Sequence, residues 1–336
     1  MKRVAATAAL VLLATAIVWL SLRREAARIH QTTRFLMDSY CTIQATGRGG
    51  DRAAKKAMDR MAEVAWKLNA LDPRSEVRAF NERGVPIVDP DVVSCVEAAL
   101  EISARSDGAF DVTVFPLVES WGFHEGPPRL PSDGEIQRAR QRVGWRDLIA
   151  EHGSIGKRRS DVAVDLGAIG QGYAVKAALE VLRRERVEAA LVDVSGDIYA
   201  LGRPRGRMWR IGIKDPRGDG LLGVVHVADL AVVTSGDYER VFEEDGVRYH
   251  HILDPKTGWP ARGLASVTIV DADPVRADAL ATAVFVLGRE KGLALVESLP
   301  ETEALLVDES GRRTPTSGFF ALTSFESAST SAVPRD

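Results

Sequence analysis

The stretch VAVDLGAIGQGYAVKAALEVLRR, residues 162–184, changes character at its centre. Residues 162–166 are mostly apolar and β-branched, and they predict a strand. Over residues 173–184 the apolar positions recur at helical spacing, which predicts an amphipathic helix. Three glycines lie at the junction between the two: Gly167, Gly170 and Gly172. The stretch therefore predicts a strand, a glycine-rich turn and a helix in succession.

Short patterned segments lie on both sides of this stretch. Further strands are predicted over residues 40–45, 190–194, 197–201, 209–213, 224–227, 231–234 and 266–270. Further helices are predicted over residues 53–71, 89–106, 133–143 and 275–287. Because few residues separate most consecutive strands, hairpins should connect them, and the sheets should be mixed but mostly antiparallel. The expected fold class is therefore α+β with flanking helices, rather than a doubly wound parallel sheet.

The amino terminus carries the signature of a membrane tether. Lys2 and Arg3 precede an apolar run over residues 4–22, and Arg23 follows without a clear cleavage site. A helix over this run would nearly span a bilayer core about 30 Å thick. We therefore expect an uncleaved anchor rather than a removed signal. The expected organisation is an anchor at 1–22, a linker at 23–34, one domain at 35–325 and a disordered tail at 326–336.

Composition excludes some classes of protein. The chain has 336 residues, 45% of them hydrophobic and 27% charged, which is the globular range. A formal net charge of −3 gives no basic field, so we expect no nucleic-acid partner. Cys41 and Cys95 match neither a zinc signature nor a Cys-x-x-Cys pair, and we expect both in the core. The sequence leaves a disulfide between them open.

Two segments suggest a phosphate and metal site. The three glycines before the predicted helix would let the backbone approach an anion at the helix N-terminus, although a tight structural turn is the alternative. Their order differs from the dinucleotide-binding fingerprint of nicotinamide enzymes. Asp278 and Thr282 are four residues apart, so they share one helix face. Two oxygen ligands suit a hard cation such as Mg²⁺, whereas a solvated Asp278 near a helix start is the alternative.

Two other segments suggest catalysis and ring binding. Residues 249–258 place His251 and Asp254 in one turn, and a histidine that titrates near neutrality can accept a proton from an attacking hydroxyl. A hairpin turn with a structural histidine is the alternative. Residues 106–123 mix aromatic and small side chains that could line the pocket of a flat ring, although core packing explains them equally well.

Taken together, with their order and separations along the chain, these four segments resemble the FAD:protein FMN transferase family of the ApbE type. The resemblance extends over about residues 37–296, with supporting matches at 37–40, 68–81, 194–198 and 234–238. It implies an α+β fold that binds FAD as substrate in an extended cleft, with Mg²⁺ between the protein and the pyrophosphate. FMN would pass to a threonine of an acceptor protein and AMP would leave. An FAD pyrophosphatase and a non-catalytic flavin-binding module remain as alternatives.

The resemblance also implies roles for individual residues. FAD contacts would come from Met37, Ala109, Phe110, Asp111, Asp165, Gln171 and Leu253. Metal ligands would come from Ala168, Asp278, Ala281 and Thr282. The turn chemistry and the resemblance together make His251 the candidate base and Asp254 a second predicted catalytic residue, and either Asp254 or Asp197 could act as the base instead. The family also implies a membrane redox subunit as acceptor, and a catalytic domain on the extracytoplasmic side of the cytoplasmic membrane.

Overall fold

The main sheet has eight strands in a computed structural model that describes residues 28–124 and 126–328. Its strands are β1 (Ile29–Leu36), β2 (Ser39–Thr46), β5 (Ala190–Val194), β6 (Asp197–Leu201), β9 (Leu230–Gly236), β12 (Leu264–Asp271), β13 (Glu303–Asp308) and β14 (Arg313–Pro315). They lie in that order, and every neighbouring pair is antiparallel. The expectation of mostly antiparallel sheets is confirmed.

Three smaller sheets complete the β structure. One is the hairpin of β3 (Leu148–Glu151) and β4 (Ser154–Lys157), and another is the hairpin of β10 (Val241–Glu244) and β11 (Val247–His250). The third contains β7 (Trp209–Lys214), β8 (Leu221–Val227) and β15 (Glu326–Ser327).

Eight α-helices are described, and several of them pack on the main sheet. They are α1 (Gly50–Leu68), α2 (Glu76–Arg83), α3 (Pro90–Arg105), α4 (Phe115–Ser120), α5 (Asp133–Arg140), α6 (Gly170–Arg184), α7 (Pro274–Glu297) and α8 (Phe319–Thr323). Helix α7 packs on β9 and β12 and also contacts α3 and α6, while α6 packs against α1. The largest apolar core lies between these helices and the sheet. Cys41 and Cys95 are free thiols buried in that core. Among the described residues, no helix is long and apolar enough to cross a bilayer.

Helix α7 shows how local sequence sets an element. Asp273 caps its start, because a side-chain oxygen accepts the N–H of Val275 at 2.9 Å, and Pro274 occupies the first turn. The predicted helix over 275–287 matches its first part. Gly288 then leaves helical geometry with φ 74° and ψ 177°, after which the helical run continues to Glu297.

Two predicted boundaries are wrong. Within the predicted linker, residues 29–34 belong to β1, which pairs with β2 along its full length. One face of this edge strand is exposed and the other is mostly half-buried, and β1 lacks the apolar alternation that predicts a strand. Within the predicted tail, Glu326–Ser327 pair with β8. The expected anchor and the last eight residues lie outside the described part of the chain.

Two predicted elements also differ. Helix α1 ends at Leu68 instead of residue 71, because Asn69 is extended and its side chain accepts the N–H of Leu71 at 2.8 Å. The segment 162–166 is not part of a sheet. Val164 instead exchanges two hydrogen bonds with the side chain of Asn81, at 2.7 and 2.8 Å. A side-chain amide replaces the neighbouring strand, so an apolar pattern alone cannot predict this pairing.

Candidate active site

A cavity of about 1480 Å³ opens where the glycine turn, the β1–β2 turn and the segment after β11 come together. Eleven of the predicted site residues line it: Met37, Ala109, Phe110, Asp111, Asp165, Ala168, Gln171, His251, Leu253, Asp278 and Thr282. Asp197, the substitute base, lines it too. Of the described residues predicted for the site, Ala281 and Asp254 do not line it.

The glycine turn and α7 meet through a backbone contact. The N–H of Gly172 donates to the Asp278 carboxylate at 2.8 Å, which fixes that side chain at the N-terminus of α6. A Cβ on Gly172 would lie 2.3 Å from the carbonyl oxygen of Pro274 and 2.8 Å from the Cβ of Asp278. Glycine is therefore required here by the close approach of the two helices.

Gly172→Ala is expected to destabilise the fold by about 2–3 kcal/mol, because the new methyl group meets backbone atoms that cannot yield freely. Gly220→Ala is the matched control, since a Cβ there has no atom within 4 Å and should change stability by less than about 0.5 kcal/mol. Urea unfolding of both variants measures the difference. Equal midpoints for the two variants would contradict this account of the helix contact.

Three carboxyl groups lie in an unfavourable environment on the cavity wall. Burial raises the pKa of Asp278 to about 7, and the nearby charge of Glu239 adds to this, although backbone N–H groups oppose it. Burial, followed by repulsion from Asp278 and Glu239, raises the pKa of Asp197 well above its usual value. Burial likewise raises the pKa of Glu239. A bound cation would offset this concentration of negative charge.

Thr282 supplies a hydroxyl beside the carboxylate. Its Oγ1 lies 3.4 Å from the Oγ of Ser235 on β9, and both residues line the cavity. Ala281 is completely buried in the core. Within residues 28–124 and 126–328, no three His, Cys, Asp or Glu side chains are grouped as metal ligands. The Thr282 hydroxyl could supplement the Asp278 carboxylate as an oxygen ligand for a cation.

The two histidines of the predicted catalytic turn have different environments. His250 is buried, and its Nε2 bonds the carbonyl oxygen of Ala261 at 2.9 Å, which is a structural contact. His251 lines the cavity, and its buried Nδ1 has no hydrogen-bond partner in the described part of the chain. Burial, together with the charges of Arg240 and His250, lowers the pKa of His251 to about 4. Its imidazole is therefore neutral at pH 7 and can accept a proton, but it is a weaker base than the histidine titrating near neutrality that the sequence predicts.

The other base candidates are less suited to that role. Asp254 closes a turn, where its side chain accepts the N–H of Lys256 at 2.8 Å. Its main-chain oxygen also accepts the N–H of Gly258 at 2.7 Å. Asp197 has a strongly raised pKa and is a poor proton acceptor while it remains protonated. The geometry therefore favours His251.

The loop before α4 contains both residues that form the cavity wall and a carboxylate that holds the loop in shape. Phe110 and Ala109 are buried in the wall of the cavity. Asp111 is engaged within the protein, because its carboxylate accepts two bonds from Thr113, at 2.8 and 2.6 Å, and one from Trp145 at 3.1 Å. Asp111 thus shapes the loop that presents its neighbours to the cavity.

Comparison with known proteins places this cavity in a family. A profile described as the ApbE family matches residues 37–306. The chain belongs to the ApbE family. Among ApbE structures, it resembles the Thermotoga maritima protein with a TM-score of 0.82 and 35% identity, over 88% of this chain and 99% of that one. It resembles the apo flavinyl transferase ApbE of Pseudomonas stutzeri with a TM-score of 0.78 and 35% identity, over 88% and 96%.

Curated ApbE relatives are named for an activity. The FAD:protein FMN transferase of Vibrio cholerae is 33% identical over 301 residues, which cover 86% of this chain and 90% of that protein. The FAD:protein FMN transferase of Treponema pallidum is 37% identical over 277 residues, which cover 76% of each chain. The family resemblance drawn from the sequence is confirmed.

Sequence reasoning missed several residues that this ApbE cavity brings together. Glu239 and Arg240 line it from the residues just before β10, and His124 lines it directly after an aromatic segment. Nε2 of His124 lies 3.0 Å from Oδ2 of Asp165. A histidine beside Trp121 and Phe123 was the available signal for this contact, but its acidic partner is distant in sequence.

Proposed function

We infer that this chain is an FAD:protein FMN transferase, and we propose that its acceptor group is a threonine hydroxyl and its metal Mg²⁺. The observation that carries this proposal is one cavity holding a neutral histidine, a buried carboxylate and a helix N-terminus, within the ApbE fold. The cavity volume of about 1480 Å³ suits an extended dinucleotide.

The proposed reaction is a phosphoryl transfer. The acceptor oxygen bonds to the FMN-side phosphorus, the bond from that phosphorus to the bridging oxygen breaks, and AMP leaves with the electron pair. The hydroxyl proton passes to the imidazole of His251, which is neutral and lines the cavity. The N-terminus of α6 stabilises phosphate charge through its backbone N–H groups.

The residues present are suited to a hard cation. Asp278 and Thr282 lie on one face of α7, and Ala168 lines the cavity in the glycine turn. Besides burial, the raised pKa values of Asp197 and Asp278 reflect repulsion from neighbouring carboxylates, which a cation would relieve. Bound beside the pyrophosphate, Mg²⁺ would neutralise charge that develops on the phosphate oxygens.

We further propose that residues 1–22 tether the enzyme to the cytoplasmic membrane, with the domain on its extracytoplasmic side. The apolar run behind Lys2 and Arg3 supports this proposal. A membrane redox subunit would then be the acceptor. The test uses a reporter that is active only in the cytoplasm, fused after Asp336. Activity of this fusion would overturn the proposed topology.

The three candidate activities give different products. The full-length chain is incubated with FAD, Mg²⁺ and an acceptor protein carrying one target threonine, beside an acceptor in which valine replaces that threonine. The transferase proposal expects covalent flavin on the threonine acceptor and none on the valine acceptor. Free FMN with both acceptors would indicate a pyrophosphatase, and FAD left unchanged would indicate a binding module.

A further inference from the structure

His124 and Asp165 form an ion pair in the wall of the cavity. Their Nε2 and Oδ2 atoms are 3.0 Å apart, and the side chains are 17% and 14% exposed. The His124 ring also packs on Phe115, with ring centroids 4.8 Å apart and planes at 33°. The pair therefore links the segment after α4 to the glycine turn before α6.

Asp165 retains capacity to bind a ligand. Its Oδ1 accepts the N–H of Gly167 at 2.7 Å, and its Oδ2 faces His124. A carboxylate offers about four lone-pair positions, so two remain for donors that enter the cavity. The two protein contacts hold the carboxylate in one orientation, which would lower the entropy cost of binding such a donor.

Because acidic side chains dominate the cavity lining, a positive charge on the His124 imidazole would favour binding of an anion. Nine acidic side chains line the cavity, against three from Lys or Arg, which are Arg74, Lys214 and Arg240. The pyrophosphate of FAD is an anion, and an uncompensated Asp165 would repel it. A protonated His124 at 3.0 Å cancels that charge without blocking the carboxylate as a hydrogen-bond acceptor.

We propose that His124 is a positioning residue for the dinucleotide: it orients and neutralises Asp165, which accepts a hydrogen bond from an N–H or hydroxyl group of FAD. The proposal rests on FAD being the substrate, as inferred above. It assigns His124 to substrate binding, whereas His251 acts in the chemical step.

The protonation state of His124 should make FAD affinity depend on pH, which distinguishes this positioning role from a purely structural one. Burial opposes a charge on His124, but the adjacent Asp165 carboxylate raises the pKa of the imidazole. Glu119 adds to this effect and Arg240 opposes it. His124 is therefore protonated at lower pH and loses its proton as pH rises through that raised pKa. FAD should bind most tightly below this pKa and more weakly above it.

The test measures FAD affinity of the full-length chain by flavin fluorescence across pH 6 to 9. His124→Phe keeps a ring against Phe115, and His124→Gln keeps a hydrogen-bond donor without the charge. His226→Phe is the matched control, because His226 forms a similar contact with Glu326, at 3.0 Å, away from the cavity. Asp165→Asn and the double variant Asp165→Asn with His124→Phe complete a mutant cycle.

We expect His124→Phe to raise the Kd for FAD by about tenfold or more, with kcat within about threefold of wild type. His124→Gln should abolish the loss of FAD affinity at high pH. The double variant should bind FAD no more weakly than Asp165→Asn alone. Unchanged affinity in both His124 variants, or additive losses in the cycle, would overturn the proposal. If His124→Phe does not fold, His124→Gln decides. Failure of wild-type protein to bind FAD would instead refute the proposed function.

Discussion

Asp278→Ala is expected to abolish flavin transfer at ordinary Mg²⁺ concentrations. The substitution removes the one carboxylate among the proposed metal ligands, so Mg²⁺ should bind much more weakly and the pyrophosphate charge should remain unneutralised. It also removes the acceptor for the Gly172 N–H, which should cost about 1–3 kcal/mol of stability. Transfer rates titrated against Mg²⁺, with folding followed separately by circular dichroism, measure both effects.

Asp278→Asn separates the metal from the fold. The amide keeps one oxygen for the Gly172 N–H but loses the charge, so partial rescue at high Mg²⁺ is expected. Asp273→Asn on the same helix is the control, because asparagine also caps helices and Asp273 does not line the cavity among the described residues. Wild-type transfer rates in a folded Asp278→Ala protein would exclude Asp278 as a ligand.

His251→Ala is expected to lower kcat by roughly 10²–10⁴-fold while FAD affinity changes by less than about threefold. The reason is that a general base acts in the transition state, whereas bound FAD gains nothing from it. Single-turnover transfer and FAD titration give the two quantities. His152→Ala is the control, since His152 is exposed in the β3–β4 turn. An unchanged kcat in His251→Ala would transfer the role of base to a carboxyl group of the cavity wall.

Periodicity predicted most of the helices and the central strands. Segments such as Ala190–Val194 and Asp197–Leu201 combine apolar residues with a short turn, so local sequence determines them. The edge strand β1 and the hairpin of β10 and β11 were missed, because half-exposed strands carry weak apolar alternation. The segment 162–166 was misassigned because its hydrogen-bond partner is the distant Asn81.

Residues of the cavity could be predicted from the sequence where their spacing within a single helix or strand places them side by side. Asp278 and Thr282 are four residues apart on one helix, and both line the cavity. Contacts between distant segments could not be predicted, as for Asp165 with His124. The prediction chose His251 over its neighbour, and the structure gives the physical difference: His250 is buried and bonded to the carbonyl oxygen of Ala261, whereas His251 lines the cavity. Spacing likewise could not show that the side chain of Asp254 completes its own turn and lies outside the cavity lining.

The central claim is that FMN passes from FAD to a protein hydroxyl within this cavity. Intact mass spectrometry of the acceptor, combined with chromatography of released AMP, tests it in one reaction mixture. We predict that each acceptor gains the mass of FMN less one water, with one AMP released per modified acceptor and no free FMN. AMP and free FMN in equal amounts, with an acceptor of unchanged mass, would contradict the claim.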